Sequence, residues 1–247
     1  MPFYNKQIEY QKAQSPYPQD YINQITQDAN QILNLKLPFV GVHFCFSQED
    51  YDAFDVPELK SATTYCIMVK KAMQGMASKS KLEHHKCDGG TTALGLEKST
   101  ERIESGQEYF SYHLYDSNAA ARRMRNSIVS LHHYQPVTYG IVLQPLAECT
   151  RQPDVILGVV NGLQAMRLVQ GYEYFSGEKP QIDLGAMQAF CSELTAVPYL
   201  SGKMNLSVMC PSTRVLCQWD ASDLAVGIPF HQYESILRGV IATELKK

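Results

Sequence analysis

Four of the seven cysteines form two pairs with similar spacing. Cys66 and Cys87 are 21 residues apart, and Cys191 and Cys210 are 19 residues apart. In each pair, the first cysteine lies in a segment with helical spacing of apolar residues, and the second stands beside residues that favour turns. Loops commonly carry binding and catalytic groups. Because thiolates bind zinc, iron–sulfur clusters and other thiophilic metals and are also nucleophiles, the pattern indicates thiolate chemistry.

The first hypothesis is a four-thiolate site. Cys66, Cys87, Cys191 and Cys210 would together satisfy a tetrahedral zinc or an iron–sulfur cluster. Cys66 lies near the start of a predicted helix, where the partial positive charge of the helix favours a thiolate. The chain contains no Cys-x-x-Cys pair, so the site would be assembled from four separate elements, or from fewer thiolates and a histidine. This hypothesis predicts a metal-binding or iron–sulfur protein with a redox or metal-handling role.

The second hypothesis is catalysis by a cysteine nucleophile. Cys87 follows His84 and His85 closely, so a general base is available nearby in sequence. The backbone amides of Gly89 and Gly90 are available to stabilise an oxyanion. Adjacent histidines in a lysine-bearing loop are more often exposed to solvent than catalytic. A cysteine-dependent enzyme that uses Cys87 is therefore an alternative to the metal site.

The third hypothesis is a module that binds a small ligand or cofactor without catalysis. The paired glycines Gly89 and Gly90 allow close approach of the backbone to a ligand. Arg214 offers a planar guanidinium for a carboxylate or phosphate, and Glu193 could orient it. An ordinary salt bridge between Arg214 and Glu193 accounts for the same residues. Neither common glycine-rich phosphate-binding pattern is present in the sequence, so nucleotide binding has no motif support.

The remaining cysteines, Cys45, Cys149 and Cys217, stand outside these patterns, and we expect them to be buried core residues. The first twenty residues contain no apolar segment of the kind that marks a secretory signal. A cytoplasmic location is therefore expected, where thiols stay reduced. The cysteines are also too few for a disulfide scaffold, so free thiols are predicted.

The composition excludes some classes of partner. The chain has 247 residues, with 22 Lys and Arg against 25 Asp and Glu, and a formal net charge of −3. This balance argues against nucleic-acid binding, which needs a concentrated basic surface. The apolar stretches are far shorter than the roughly 18 residues of a membrane span, so no membrane partner is expected. The expected partner is a metal or a small molecule, and the 15 tyrosines are compatible with a pocket or with a homo-oligomer interface.

The elements that must position these cysteines are both helices and strands. Apolar periodicity, β-branched runs and capping residues indicate where they lie. Helices are predicted over residues 20–35, 61–76, 117–131, 162–175, 186–200 and 230–245, and strands over residues 38–46, 108–114, 137–143, 155–160, 206–209 and 224–228. A loop is predicted at residues 87–96. The mixture predicts an α/β (or α+β) fold with a mixed sheet flanked by helices.

The order of elements around the cysteines repeats once along the chain. A cysteine-bearing helix, a cysteine-bearing loop, a strand and a helix follow one another in each half of the sequence. We therefore predict a polar lead-in over residues 1–19 and a single compact domain over residues 20–247. Within that domain, two pseudo-symmetric halves, 20–135 and 136–247, would place the four cysteines around one cleft.

Several ordered motifs resemble a known family. The motifs are Tyr65-Cys-Ile-Met-Val-Lys-Lys-Ala, Cys87-Asp-Gly-Gly-Thr-Thr-Ala-Leu-Gly-Leu, Cys191-Ser-Glu-Leu-Thr-Ala-Val-Pro-Tyr-Leu-Ser-Gly and Cys210-Pro-Ser-Thr-Arg, with shorter ones at residues 153–156, 165–171 and 226–230. Together they resemble the domain of unknown function 169 family over roughly residues 20–245. That family is common in anaerobic bacteria and archaea, and the resemblance implies no established reaction. It does draw attention to the four cysteines that stand inside its motifs.

Overall fold

A six-stranded antiparallel sheet forms the centre of the computed structural model, which describes residues 17–134 and 137–244. The strands are β1 (Val40–Cys45), β2 (Ser78–Ser80), β3 (Gly140–Pro145), β4 (Val155–Val160), β5 (Asn205–Ser207) and β6 (Leu224–Pro229). Their order across the sheet is β2-β3-β1-β4-β6-β5, and each of the five neighbouring pairs is antiparallel. The predicted class is confirmed, and its α+β form is the closer description because the strands pair antiparallel.

Helices surround this sheet. They are α1 (Gln19–Leu33), α2 (Gln48–Asp52), α3 (Tyr65–Met73), α4 (Asp88–Ala93), α5 (Glu101–Glu104), α6 (Gln107–Ser111), α7 (Asn118–Ser127), α8 (Gly162–Ser176), α9 (Val197–Ser201), α10 (Pro211–Cys217) and α11 (Phe230–Ala242). Three single turns of 3₁₀ helix lie at Leu82–His84, Leu131–His133 and Leu146–Glu148, and a π-helix lies at Ala189–Ala196. Within the described ranges, no helix is both long and apolar enough to cross a membrane.

The sheet is covered on both faces because successive strand residues point to opposite sides. Along β4, Val155 and Leu157 join a core that includes α3 and the π-helix. Ile156 and Val160 join a second core built from α1, α8 and α11. The strands β1, β3 and β4 are buried along their whole length, as their largely apolar sequences predict.

The two sides of the sheet have equivalent strand orders when each is followed from the middle of the sheet to its edge. From the β1–β4 pair outward, one side runs β1-β3-β2 and the other runs β4-β6-β5. In chain order, each side is a central strand, an edge strand and the strand between them. The boundary proposed between residues 135 and 136 falls outside the described residues, as does most of the predicted lead-in over 1–19. The division into two halves therefore stays a prediction.

Two predicted elements are wrong in type. Residues 108–114 were expected to form a strand because of their aromatic residues, but they contribute to the helix α6, which begins after Gly106 turns the chain with φ of +79°. The loop expected at 87–96 contains the helix α4. The helix predicted at 186–200 is present, as a π-helix that passes into α9, where Pro198 occupies the first turn. There a proline needs no amide hydrogen.

Candidate functional site

The structure brings the four motif cysteines together. Cys66, Cys87, Cys191 and Cys210 all line one cavity of about 350 Å³. The cavity lies on the face of the sheet that α3 and the π-helix cover, and the first turns of α4 and α10 complete its wall. Residues from both halves of the chain thus contribute to one cavity.

Each cysteine is held at or near the start of a helix. Cys87 is the N-cap residue of α4, and Cys210 is the N-cap residue of α10. Both helices follow an edge strand, β2 in one case and β5 in the other. Cys66 is the second residue of α3, and Cys191 is the third residue of the π-helix. π-helices occur frequently at functional sites, so the local backbone is consistent with a site here.

Hydrogen-bond donors surround the sulfur of Cys66. The Thr64 hydroxyl lies 3.1 Å from Cys66 Sγ. The thiol of Cys217 and the backbone amide of Ile67 also donate to this sulfur. These bonds, with that of Cys217 the largest influence, lower the pKa of Cys66 below that of an ordinary cysteine. The pKa of Cys217 is raised, because its proton is held between the two sulfurs and because the side chain is buried.

A threonine hydroxyl connects the cysteines of the two halves. Cys210 Sγ donates to Thr213 Oγ1 at 3.1 Å, and the Thr213 hydroxyl in turn donates to the sulfur of Cys66. Thr213 is itself buried within α10. Thr213 therefore lies between Cys210 of α10 and Cys66 of α3.

The other two sulfurs are held as neutral thiols. Burial raises the pKa of Cys87, and the charges of the neighbouring cysteines raise it further. Burial raises the pKa of Cys191 strongly, with smaller contributions from the same cysteines. Cys191 is 8% exposed, whereas Cys87 opens toward solvent. Because a bound metal ion deprotonates a coordinating thiol outright, a metal would change the state of these two groups most.

The paired glycines serve close packing in the cavity wall. A Cβ on Gly89 would lie 2.5 Å from Nε2 of Gln188, and that nitrogen donates to the hydroxyl of Tyr109. Gln188 has φ of +52°, a conformation that costs energy for a residue with a side chain. Both Gly89 and Gly90 line the cavity and lie within α4, with no positive φ. Gly89 therefore leaves room for Gln188, whereas a Cβ on Gly90 would make only ordinary contacts of 3.6 Å with Cys87.

Two of the predicted ligand-binding residues have other partners. The guanidinium of Arg214 donates to three backbone carbonyls, those of Val208, Asp220 and Asp223. The carboxylate of Glu193 accepts from the Gly185 amide and from the Ser207 hydroxyl. Neither side chain lines the cysteine cavity. The structure therefore shows no contact between Glu193 and Arg214 among their hydrogen bonds, and both residues stabilise the loops around them.

The two histidines before Cys87 are likewise engaged elsewhere. Nδ1 of His84 accepts from the backbone amide of Lys81. Nε2 of His85 lies 3.0 Å from the Ser80 hydroxyl, and burial lowers the pKa of this imidazole to about 4. With its own pKa raised, Cys87 has the opposite character from an activated nucleophile. Of the four cavity cysteines, Cys66 has the local environment that favours a thiolate.

The spacing of the sulfurs limits the kind of metal site. Within the described residues, three or more candidate ligand atoms lie within 4.8 Å of one another at two places, Glu104 with His132 and His133, and Glu58 with Glu83 and His84. Neither group contains a cysteine, and each already includes an ion pair with a basic residue, Arg125 or Lys81. In a mononuclear tetrahedral site, metal–sulfur bonds of about 2.3 Å place the sulfurs about 3.8 Å apart. The four cysteines are thus arranged more widely than one zinc ion requires.

The difference in pKa between two cavity cysteines predicts their order of alkylation. A lowered pKa makes Cys66 a thiolate at lower pH. The rate of its labelling by iodoacetamide should therefore reach its maximum at a lower pH than the rate for Cys87 does. At pH 7 we expect Cys66 to be labelled first, although Cys87 is more exposed. Peptide mass spectrometry after brief labelling measures the order. In Cys217→Ala, which lacks the main donor, the Cys66 profile should move to higher pH; an unchanged profile would contradict the assigned cause.

The chain is similar to known sequences over most of its length. Residues 30–239 match the family described as "DUF169: Uncharacterised ArCR". The chain belongs to this family. It is also 25% identical over 228 residues to an uncharacterized protein of Methanocaldococcus jannaschii, a match that covers 89% of this chain and 94% of that protein. No solved structure matches the chain significantly.

Membership in DUF169 confirms the resemblance that the motifs indicated. The matched range contains both cysteine pairs and also Cys217. Neither the family description nor the name of the archaeal relative states an activity. The function of this DUF169 protein is therefore argued from the cavity.

Proposed function

We propose that this DUF169 protein binds an iron–sulfur cluster, or another polynuclear thiophilic metal centre, in the cavity lined by Cys66, Cys87, Cys191 and Cys210. The observation that carries the proposal is that four thiols from four separate elements line one cavity. The bound centre would give the protein a redox or metal-handling role. Thiolates are the common ligands of iron–sulfur clusters, which take four of them.

The dimensions of the cavity support a polynuclear centre. A cluster binds each thiolate at a different iron and so separates its ligand sulfurs more widely than a single ion does. This agrees with the described residues, where no three cysteine sulfurs lie within 4.8 Å of one another. The volume of about 350 Å³ also exceeds what one ion and its bonds occupy.

The surroundings of the sulfurs also favour a bound cluster. Hydrogen bonds to cluster sulfurs and burial set the reduction potential of such centres. Here Thr64 and Thr213 provide hydroxyls next to Cys66 and Cys210, and Cys191 is almost fully buried. Apolar side chains stand around the opening, including Leu114 and Leu216. They would limit access of water to the centre.

Protein purified without oxygen tests the proposal. We expect brown protein that contains iron and acid-labile sulfide in equal amounts, with an electron paramagnetic resonance signal in one oxidation state. If the cluster is lost during purification, anaerobic reconstitution with ferrous iron and sulfide should restore it. Protein that stays colourless and free of iron after reconstitution would refute the proposal.

The lowered pKa of Cys66 supports a second candidate, a cysteine-dependent reaction or covalent ligand binding in the same cavity. It differs from the sequence-based prediction in using Cys66 as the nucleophile in place of Cys87. In that case the metal-free protein would be the functional form. Rapid labelling of Cys66 by electrophiles, together with failure to take up iron, would favour this candidate over the cluster.

A further inference from the structure

Another cavity, called the Lys203 cavity below, is lined by side chains from residues 129–134, 181–183 and 197–203. Its volume is about 770 Å³, which falls in the range of about 300–1,000 Å³ that is typical of small-molecule sites. It has no lining residue in common with the cysteine cavity. Val197 and Leu200 in its wall belong to α9, which continues the π-helix that carries Cys191. The two cavities are therefore separate sites along one run of helix.

Hydrogen bonds between distant segments fix the wall of the Lys203 cavity. The backbone amide of Asp183 donates to Oδ1 of Asn205, and Nδ2 of Asn205 donates to the carbonyl of Asp183, both at 2.8 Å. Asn205 is fully buried in β5. Elsewhere in the wall, the Ser192 hydroxyl donates to the carbonyl of Val129 at 2.7 Å. The cavity is thus formed by the fold itself, as is usual for sites that bind small molecules.

Most of the lining surface of the Lys203 cavity is apolar. Val129, Val197 and Leu200 are half-buried side chains of this lining. Two of them, Val129 and Leu200, also pack against the core of the sheet. Because removal of apolar surface from water is favourable, these side chains suit the apolar part of a ligand.

A lysine gives this cavity a positive charge. Lys203 is half-buried and lines the cavity. It forms no ion pair with a residue that the structure describes. A charge that is partly removed from water is stabilised by an opposite charge nearby, so the ammonium group favours an anionic group on the ligand.

His133 adds a hydrogen-bond donor to the same lining. Nη2 of Arg125 lies 3.4 Å from Nε2 of His133. Because a guanidinium can only donate, Nε2 is the acceptor and the proton of the neutral imidazole is on Nδ1. Asp183 also lines the cavity and is exposed, and its carboxylate disfavours a second anionic group on the ligand.

We propose that the Lys203 cavity binds a small organic molecule with an apolar body and one anionic group, of the kind that a medium-chain carboxylic acid represents. The apolar body covers Val129, Val197 and Leu200. The anionic group pairs with Lys203, and the imidazole of His133 offers a further hydrogen bond. The site needs no cysteine and no metal, so it does not rest on the proposed cluster.

Fluorescence titration of the full chain with anilinonaphthalene sulfonate tests the inference, because this probe combines aromatic rings with a single sulfonate. We expect the probe to bind at a single site. Decanoate should displace it, whereas decylammonium, which has the same chain length and the opposite charge, should need a concentration about tenfold higher or more. In Lys203→Met, the affinity for the probe should fall about tenfold or more, since a hydrogen bond to a charged partner contributes at least that factor.

The matched control is Lys60→Met, because Lys60 is exposed and lines neither cavity. This variant should bind the probe as the wild type does. Gln181→Trp places a large ring at an exposed position of the lining and should also weaken binding, and circular dichroism checks that each variant is folded. Equal affinities of Lys203→Met and Lys60→Met, or wild-type binding by Gln181→Trp, would overturn the inference. Neither result would bear on the cluster, whose ligands lie in the other cavity.

Discussion

The variants Cys66→Ala and Cys210→Ala should each contain only a small fraction of the iron and sulfide of the wild type after anaerobic purification. Structural zinc sites in zinc-finger peptides have apparent binding free energies of about 10–16 kcal/mol. On the same scale, one of four ligands accounts for about 3 kcal/mol, or on the order of a hundredfold in affinity. Cys66 and Cys210 come from opposite halves of the chain and share Thr213 as a hydrogen-bond partner. Loss of the cluster in both variants would show that the two halves supply one centre.

The same substitution at a cysteine outside the cavity is the control for this prediction. Cys45 and Cys149 are both fully buried, and neither lines the cavity. Alanine at these positions removes a sulfur from the core at a cost of stability but leaves all four ligands in place. We therefore expect Cys45→Ala and Cys149→Ala to keep their iron as long as circular dichroism shows them folded. Full iron content in both Cys66→Ala and Cys210→Ala would contradict the proposed ligands.

Thr213→Val tests the hydrogen bonds to the ligand sulfurs without removing a ligand. The substitution preserves the shape of the side chain and removes the hydroxyl that lies between Cys210 and Cys66. The ligands stay, so iron should still bind, but the potential of the centre should change because hydrogen bonds to the sulfurs tune it. Redox titration followed by visible absorption measures this change.

The sequence predicts the sheet well because its central strands carry unmistakable patterns. Val155–Val160 is an unbroken apolar run and residues 140–143 are another, and both lie in fully buried strands. Helix α7 was predicted from its cap, and the Ser117 hydroxyl does accept from the Ala120 amide. Such signals depend only on neighbouring residues in the sequence, so they predict an element correctly without knowledge of the tertiary contacts.

The errors occurred where neighbours in space override local preference. Residues 108–114 have the aromatic content of a strand, but residues 108–111 form part of α6, whose Tyr109 packs with α7 in a small core away from the sheet. At residues 186–200, the sequence pattern predicted a helix but could not distinguish a π-helix from an α-helix. Register across distant elements, on which the sheet order depends, has no local signature.

The missed residue at the site is Cys217. It has no motif around it and was expected to be core filling, and its 1% exposure agrees with burial. The spacing of Cys210, Thr213 and Cys217, at steps of three and four residues, was the available signal. It places the three residues on one face of any helix that starts at Pro211. Recognising that helix would have joined Cys217 to Cys210, although the contact with Cys66 depends on how α3 and α10 pack.

Alanine at Gly227 should destabilise the protein more than most single methyl groups can. Gly227 lies on β6, and a Cβ there would stand 2.0 Å from the carbonyl oxygen of Leu194, with two further backbone atoms of Leu194 within 2.8 Å. Backbone atoms cannot rotate away as a side-chain tip can, so the π-helix that carries Leu194 and Cys191 must move off the sheet. Overpacking a rigid contact costs typically 1–3 kcal/mol and sometimes more, and we expect a loss of about 3 kcal/mol in the free energy of unfolding.

Gly162→Ala is the matched control for this substitution, because no atom lies within 4 Å of the Cβ that it would add at the start of α8. There a methyl group meets open space and restricts the unfolded chain, so stability should be unchanged or rise by about 0.4–1 kcal/mol. Urea denaturation followed by circular dichroism measures both variants. Since the displaced helix carries Cys191, Gly227→Ala should also bind less iron than Gly162→Ala under conditions in which both are folded. Equal stability of the two variants would mean that β6 and the π-helix do not approach as closely as this contact requires, and Cys191 would then lose the support that holds it in the cavity wall.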